Sequence, residues 1–129
     1  METLDTVLVD CVSDHSQEAA QLERRGHHIV YCAGPPQATL CPILRNGFCE
    51  KLAAASGVIF DLDLDRAQHR AILARYQQVL GPEIPIRIMV TPRQAFRYAE
   101  LLAPNQTWIG PPTGTEIDDF AAVLETIDD

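Results

Sequence analysis

Residues 86–94 read Ile-Arg-Ile-Met-Val-Thr-Pro-Arg-Gln, an apolar run that closes on a threonine-proline pair. The run Ile86 to Val90 suits a buried strand. Thr91 followed by Pro92 sets an N-cap and a first-turn proline in the order that starts a helix. A strand that passes straight into a helix makes no hairpin, so the next strand is reached by a crossover and lies parallel to the first.

The same unit repeats in both directions. Upstream, Val58 to Phe60 reads as a strand, and Asp63 or Asp65 is expected to cap a helix whose Ile72, Tyr76, Val79 and Leu80 form an apolar stripe closed by Gly81-Pro82. Asn46 is expected to cap a short helix before it, with Phe48, Leu52 and Ala55 on one face and Gly57 as its stop. Between positions 33 and 45, Gly34-Pro35-Pro36 and Cys41-Pro42 break the chain into a long loop. At the start, Thr6 to Val9 and Ile29 to Cys32 read as strands around a helix that begins near Ser13 or Asp14 and stops at Gly26, with Arg24 and Arg25 in its last turn. His27 and His28 follow it, and a solvated histidine at a helix end is their ordinary reading. Downstream, Thr107 to Ile109 is a strand, and Trp108 in it reads as a packed aromatic. Thr113 and Glu116 form a capping-box pattern for a last helix that buries Ile117, Phe120, Leu124 and Ile127.

Five strands alternating with five helices predict a parallel sheet covered on both faces by right-handed crossovers. The 129 residues suffice for one domain, 1–129, with its own core, and neither an internal repeat nor a linker divides them. The net charge is -8, and the ten Lys and Arg look scattered apart from Arg24-Arg25, which argues against nucleic acid as a partner. The first residues carry no basic or apolar targeting pattern, and no apolar run approaches the roughly 20 residues of a membrane span, so a cytoplasmic protein with no membrane partner is expected. In that compartment the four cysteines stay reduced.

In sheets of this kind, ligands collect at the carboxyl ends of the strands. There the chain resembles the response-regulator receiver family over nearly its whole length. Asp10 follows the first strand like the first of the family's paired acids. Leu22-Glu23-Arg24-Arg25-Gly26-His27 resembles the usual end of the first helix, and Asp61 ends the third strand like the phospho-accepting aspartate. Thr91 ends the fourth strand like the family's hydroxyl residue, and Gly110-Pro111 follows the fifth where receivers have Lys-Pro. The resemblance implies a flavodoxin-like three-layer α/β/α sandwich with strand order 2-1-3-4-5, and a pocket made of Asp10, Cys11, Asp61, Thr91 and Gly110. It also implies a contact surface built from the fourth helix, fifth strand and fifth helix.

Two departures change what that pocket is expected to do. Cys11 stands in for the second acid, and a thiol is a poor replacement for a hard oxygen ligand of Mg²⁺. Gly110 replaces the lysine that would face a phosphoryl group, a charge pair worth up to about 4 kcal/mol at an effective dielectric near 20. The expectation is a degenerate receiver that binds another protein or its own copy as a homodimer, without normal aspartate phosphorylation and without catalysis. Val58 to Asp63 is also similar to the first motif of haloacid-dehalogenase-like phosphatases. Leu64-Asp65 follows where that motif has a small hydroxyl or glycine-containing turn, so the similarity is set aside.

The cysteines support an alternative. With neighbouring strands about 4.8 Å apart, Cys11 and Cys32 end adjacent strands, and Cys41 and Cys49 come from the long loop and helix start at the same edge. Four converging thiols are a ligand set for zinc or an iron–sulfur cluster, or a thiol redox site, with Cys49 the most reactive at a helix N-terminus. Against that, there is no C-x-x-C knuckle, and small buried cysteines pack well beneath a loop.

Overall fold

A computed structural model of the chain describes residues 6–11, 16–32, 50–80 and 84–127. In order, the elements are β1 (Thr6–Cys11), α1 (Ser16–Arg24), β2 (His28–Cys32), α2 (Glu50–Ala53), β3 (Gly57–Asp61), α3 (Ala67–Val79), β4 (Ile86–Val90) and α4 (Pro92–Arg97). Two single 3₁₀ turns (Ala99–Leu101 and Pro104–Gln106), β5 (Thr107–Ile109) and α5 (Gly114–Ile127) follow among the described residues. The five strands pair in parallel in the order β2-β1-β3-β4-β5, giving the expected flavodoxin-like α/β fold. Among the described residues no helix is long and apolar enough to cross a membrane.

Strand alternation divides the core into two layers. Leu8, Val58, Phe60 and Ile88 face α2, α3 and α4, where Phe60 meets the Tyr76 ring edge-on at 5.8 Å. Val7, Val9, Ile59 and Met89 face α1 and α5, where Trp108 meets Phe120 edge-on at 6.0 Å. β1 and β3 are covered on both sides, which is why they read as continuous apolar runs.

Several helix ends follow from local chemistry. Gly26 at φ 94° closes α1 with paired bonds, its N–H to Glu23 O at 2.9 Å and the His27 N–H to Leu22 O at 3.2 Å. Thr91 and Gln94 form a reciprocal capping box on α4, and Thr113 and Glu116 form one on α5.

Other expectations need correction. Gly57 does not stop α2, which ends at Ala53; it lies inside β3, where a Cβ would run into Leu124 Cδ2 and lie 3.2 Å from Phe120 Cζ. Neither Asp63 nor Asp65 caps α3, whose N-cap is Arg66 with no side-chain bond. Val79 is exposed rather than buried, and His69 and Leu73 join Ile72 and Tyr76 on the buried face of α3. Asp10 lies within β1 rather than after it, because pairing with β3 continues to Cys11. His27 is 5% exposed, not solvated: the turn at Gly26 folds it inward, and its Nε2 stands 3.2 Å from Glu125 Oε2. The readings on Ser13, Asp14, Asn46, Phe48 and the 33–45 loop, and that on the Ile127 side chain, lie outside the described residues.

Candidate functional site at the carboxyl edge of the sheet

Register brings the receiver-like residues to one edge. Asp10 pairs with Cys32 on one side and Phe60 on the other, while Cys11 pairs with Asp61. Asp10 is 1% exposed and Asp61 is half-buried. Thr91 follows β4, where its Oγ1 accepts the Gln94 N–H at 3.1 Å and its own N–H goes to Gln94 Oε1 at 3.1 Å. Its hydroxyl oxygen is therefore engaged as a helix cap.

Gly110 follows β5 at φ 80°, with its N–H on Val90 O at 2.7 Å. Positive φ disfavours any residue with a Cβ. A lysine at this position would thus meet backbone strain. As a Mg²⁺ donor set, Asp10, Cys11 and Asp61 do not fit, because a thiol replaces a hard oxygen where register sets Cys11 beside Asp61.

Cys32 ends β2, half-buried, and packs against the core layer that contains Leu8. The Cys11 side chain, Cys41 and Cys49 lie outside the described residues. Among the described residues, no group of three or more His, Cys, Asp or Glu is placed to hold a metal ion.

The structure adds a polar cluster beside this edge that the sequence did not reveal. The chain after β3 turns on Asp63, whose Oδ1 accepts the Asp65 N–H at 3.0 Å and whose own N–H donates to His69 Nδ1 at 2.9 Å. Gln94 Nε2, on α4, donates to Asp63 Oδ1 at 3.0 Å and to Asp65 Oδ2 at 3.4 Å. The Tyr98 hydroxyl donates to Asp65 Oδ1 at 3.0 Å and accepts from Arg70 Nη1 at 3.3 Å, and Arg70 also donates to Leu64 O at 2.7 Å. The Arg70 and Arg97 guanidiniums lie 5.3 and 5.4 Å from the Tyr98 ring centroid.

The cluster ties the β3–α3 loop to α4. His69 is 1% exposed, and burial first, then Arg66, hold its pKa below the ordinary value, with Asp63 partly opposing. A neutral imidazole accepting through Nδ1 is the consistent state. These side chains satisfy one another across the loop and the helix, so the cluster positions the two elements against each other.

On its far side, α4 borders a shallow apolar groove of about 270 Å³, lined by Ala95, Ala99, Leu102, Pro104, Thr107 and Ile109. Beside it, Phe96 is 89% exposed, and Ile109 on the edge strand is 61% exposed. No signal in the residue pattern marked Phe96, because an apolar residue in a short helix is ordinarily read as core.

No family model matches the sequence, and no curated protein matches it.

Proposed function

We propose that the protein is a non-catalytic, receiver-like regulatory module that acts by binding another protein through the α4–β5 face, without normal phosphorylation of Asp61. The observation that carries this reading is the apolar groove, with Ile109 exposed on its wall and Phe96 exposed on the adjoining helix. It is supported by Cys11 and Gly110 at the two positions where the receiver resemblance calls for an acid and a lysine.

Two measurements test the proposal. Incubation with a small phosphodonor and Mg²⁺ is expected to leave the intact mass unchanged. A stoichiometric phosphoryl adduct, abolished by Asp61→Asn, would overturn the degenerate-receiver part. A photo-crosslinker at position 96, used in the source cells, is expected to trap a discrete protein that one at exposed Arg75 does not. Identical products from both positions, or none, would overturn the interaction part.

A further inference from the structure

One residue of the β3–α3 turn joins a buried histidine to the wall of the groove. Asp63 gives its N–H to His69 Nδ1 at 2.9 Å, and its Oδ1 accepts from Gln94 Nε2 at 3.0 Å. Gln94 belongs to α4 and precedes Ala95 of the groove wall. Its Oε1 also accepts the Thr91 N–H that opens the helix. Leu62 and Leu64 are buried on either side of Asp63 and anchor the turn, so the half-buried Asp63 side chain is the part with room to rotate.

A neutral His69 ring takes the Asp63 N–H. A protonated ring presents an N–H of its own at Nδ1, which opposes that donor and calls for an acceptor. The carboxylate of Asp63 can swing to the space in front of its own N–H, and a full positive charge attracts it more strongly than the dipole of an amide does. The charges around the ring are accounted for element by element. Burial first, and then Arg66 at the head of α3, keep the ring neutral, with Asp63 opposing them. Arg70 of α3 is taken up by Leu64 O and Tyr98, and Arg97 of α4 stands 3.9 Å from Asp65. In the same layer, β3 ends on the half-buried Asp61, and Glu50 of α2 is exposed.

We propose that His69 is a proton-sensitive latch on α4: protonation draws the Asp63 carboxylate off Gln94 and onto the imidazolium, which frees the start of α4 and changes the groove beside it. The Tyr98 hydroxyl keeps its bond to Asp65, so the helix loosens at its N-terminal end and stays attached at the other. The latch is a property of the free chain, and it rests on the interaction reading above only for what the groove binds.

The test follows ¹³C,¹⁵N-labelled full-length chain by NMR from pH 7.5 to pH 5, reading the His69 ring together with the backbone amides. The amides of Asp63, Gln94 and Ala95 are expected to move with the midpoint of the His69 ring, below pH 6.5, while those of Leu8 and Val58 stay in place. Gln94→Ala should leave the His69 and Asp63 titrations and remove the response of Ala95. His69→Asn sets a non-titrating amide oxygen where Nδ1 accepts, so it should hold the α4 amides at their neutral-pH positions over the whole range.

Amides of α4 that ignore the His69 midpoint, or that still titrate in His69→Asn, would overturn the latch. A His69 ring that is protonated only as the whole chain unfolds would overturn it too. Failure of the crosslink at position 96 would instead overturn the interaction reading and leave these titrations unchanged.

Discussion

A histidine that accepts a main-chain hydrogen bond has to stay neutral, and His69 does so at 1% exposure with Asp63 N–H on its Nδ1. Protonation would replace the acceptor lone pair with a second donor inside the core. Because its folded pKa lies below 6.5, the unfolded chain takes up a proton first as the solution is acidified. The His69 contribution is therefore complete above pH 6.5 and is lost as the pH falls toward the folded-state pKa. His69→Phe should cost about 1–3 kcal/mol near pH 7.5 by leaving the Asp63 N–H without its acceptor. Urea unfolding of both proteins at pH 7.5 and pH 5 tests this, and the gap between them should narrow at pH 5. An equal gap at both values would remove His69 as a pH-dependent prop. Gly57 makes a different single-residue demand, since a methyl there enters space held by Leu124 and Phe120. Gly57→Ala is expected to destabilise by about 1–3 kcal/mol, read from the denaturation midpoint at unchanged slope; an unshifted midpoint would mean that α5 yields without cost.

Elements are held to one another by side chains far apart in sequence, and here the reading from residues alone was least complete. The bounds of β4 and β5 and the caps of α4 and α5 were legible, because a β-branched run, a Thr-Pro pair and a Thr-x-x-Glu box carry their meaning within a few residues. Gln94 bonds to Asp63 across 31 positions, so Asp63 passed for a cap of the next helix when its partner was on α4. His27 was misread for the same reason, its partner Glu125 being 98 positions away. That partner belongs to a clamp between α1 and α5, in which Arg25 grips Glu125 with two bonds of 2.7 and 2.9 Å and Asp118 stands 3.4 Å away. The Arg25 bonds, with His27 adding to them, hold the Glu125 carboxyl down to about 2, against the opposing cost of its desolvation. With both side chains more than a third exposed, solvent screening leaves the pair worth at most about 1 kcal/mol. That contribution is present above the ordinary carboxylate pKa and is lost as the pH falls toward 2. Arg25→Ala should return the Glu125 titration, followed by side-chain carboxyl NMR, toward the ordinary range with little loss of stability. A Glu125 pKa unmoved by the substitution would show that Arg25 is not its cause.

Across the whole molecule, the sheet is unequal from its centre to its edge, and the candidate docking surface lies at the weaker end. β1 and β3 pair on both sides and bury both faces. β5 pairs on one side only, over three residues, and is approached through two single 3₁₀ turns. What steadies that edge is Trp108 packed on Phe120 beneath it, together with the Asp63–Asp65–Gln94–Tyr98 cluster behind α4. Opening the α4–β5 edge exposes less buried apolar surface than separating β1 from β3, so it should occur at a smaller free energy and without global unfolding. Surfaces that adapt to a partner are drawn from such regions. Native-state hydrogen exchange should then find Leu8, Val9, Val58 and Ile59 exchanging only through global unfolding, and α4 with Thr107 to Ile109 exchanging earlier. Gln94→Ala removes the bonds to Asp63 and Asp65 and the side-chain half of the α4 capping box, but no contact within β1 or β3. It should speed exchange in α4 while leaving the rates in β3 set by global stability alone. If Thr107 to Ile109 instead proved as protected as Val58 to Phe60, or if Gln94→Ala accelerated all strands equally, the edge would open only with the whole fold. The α4–β5 groove would then have to be recognised as a rigid surface.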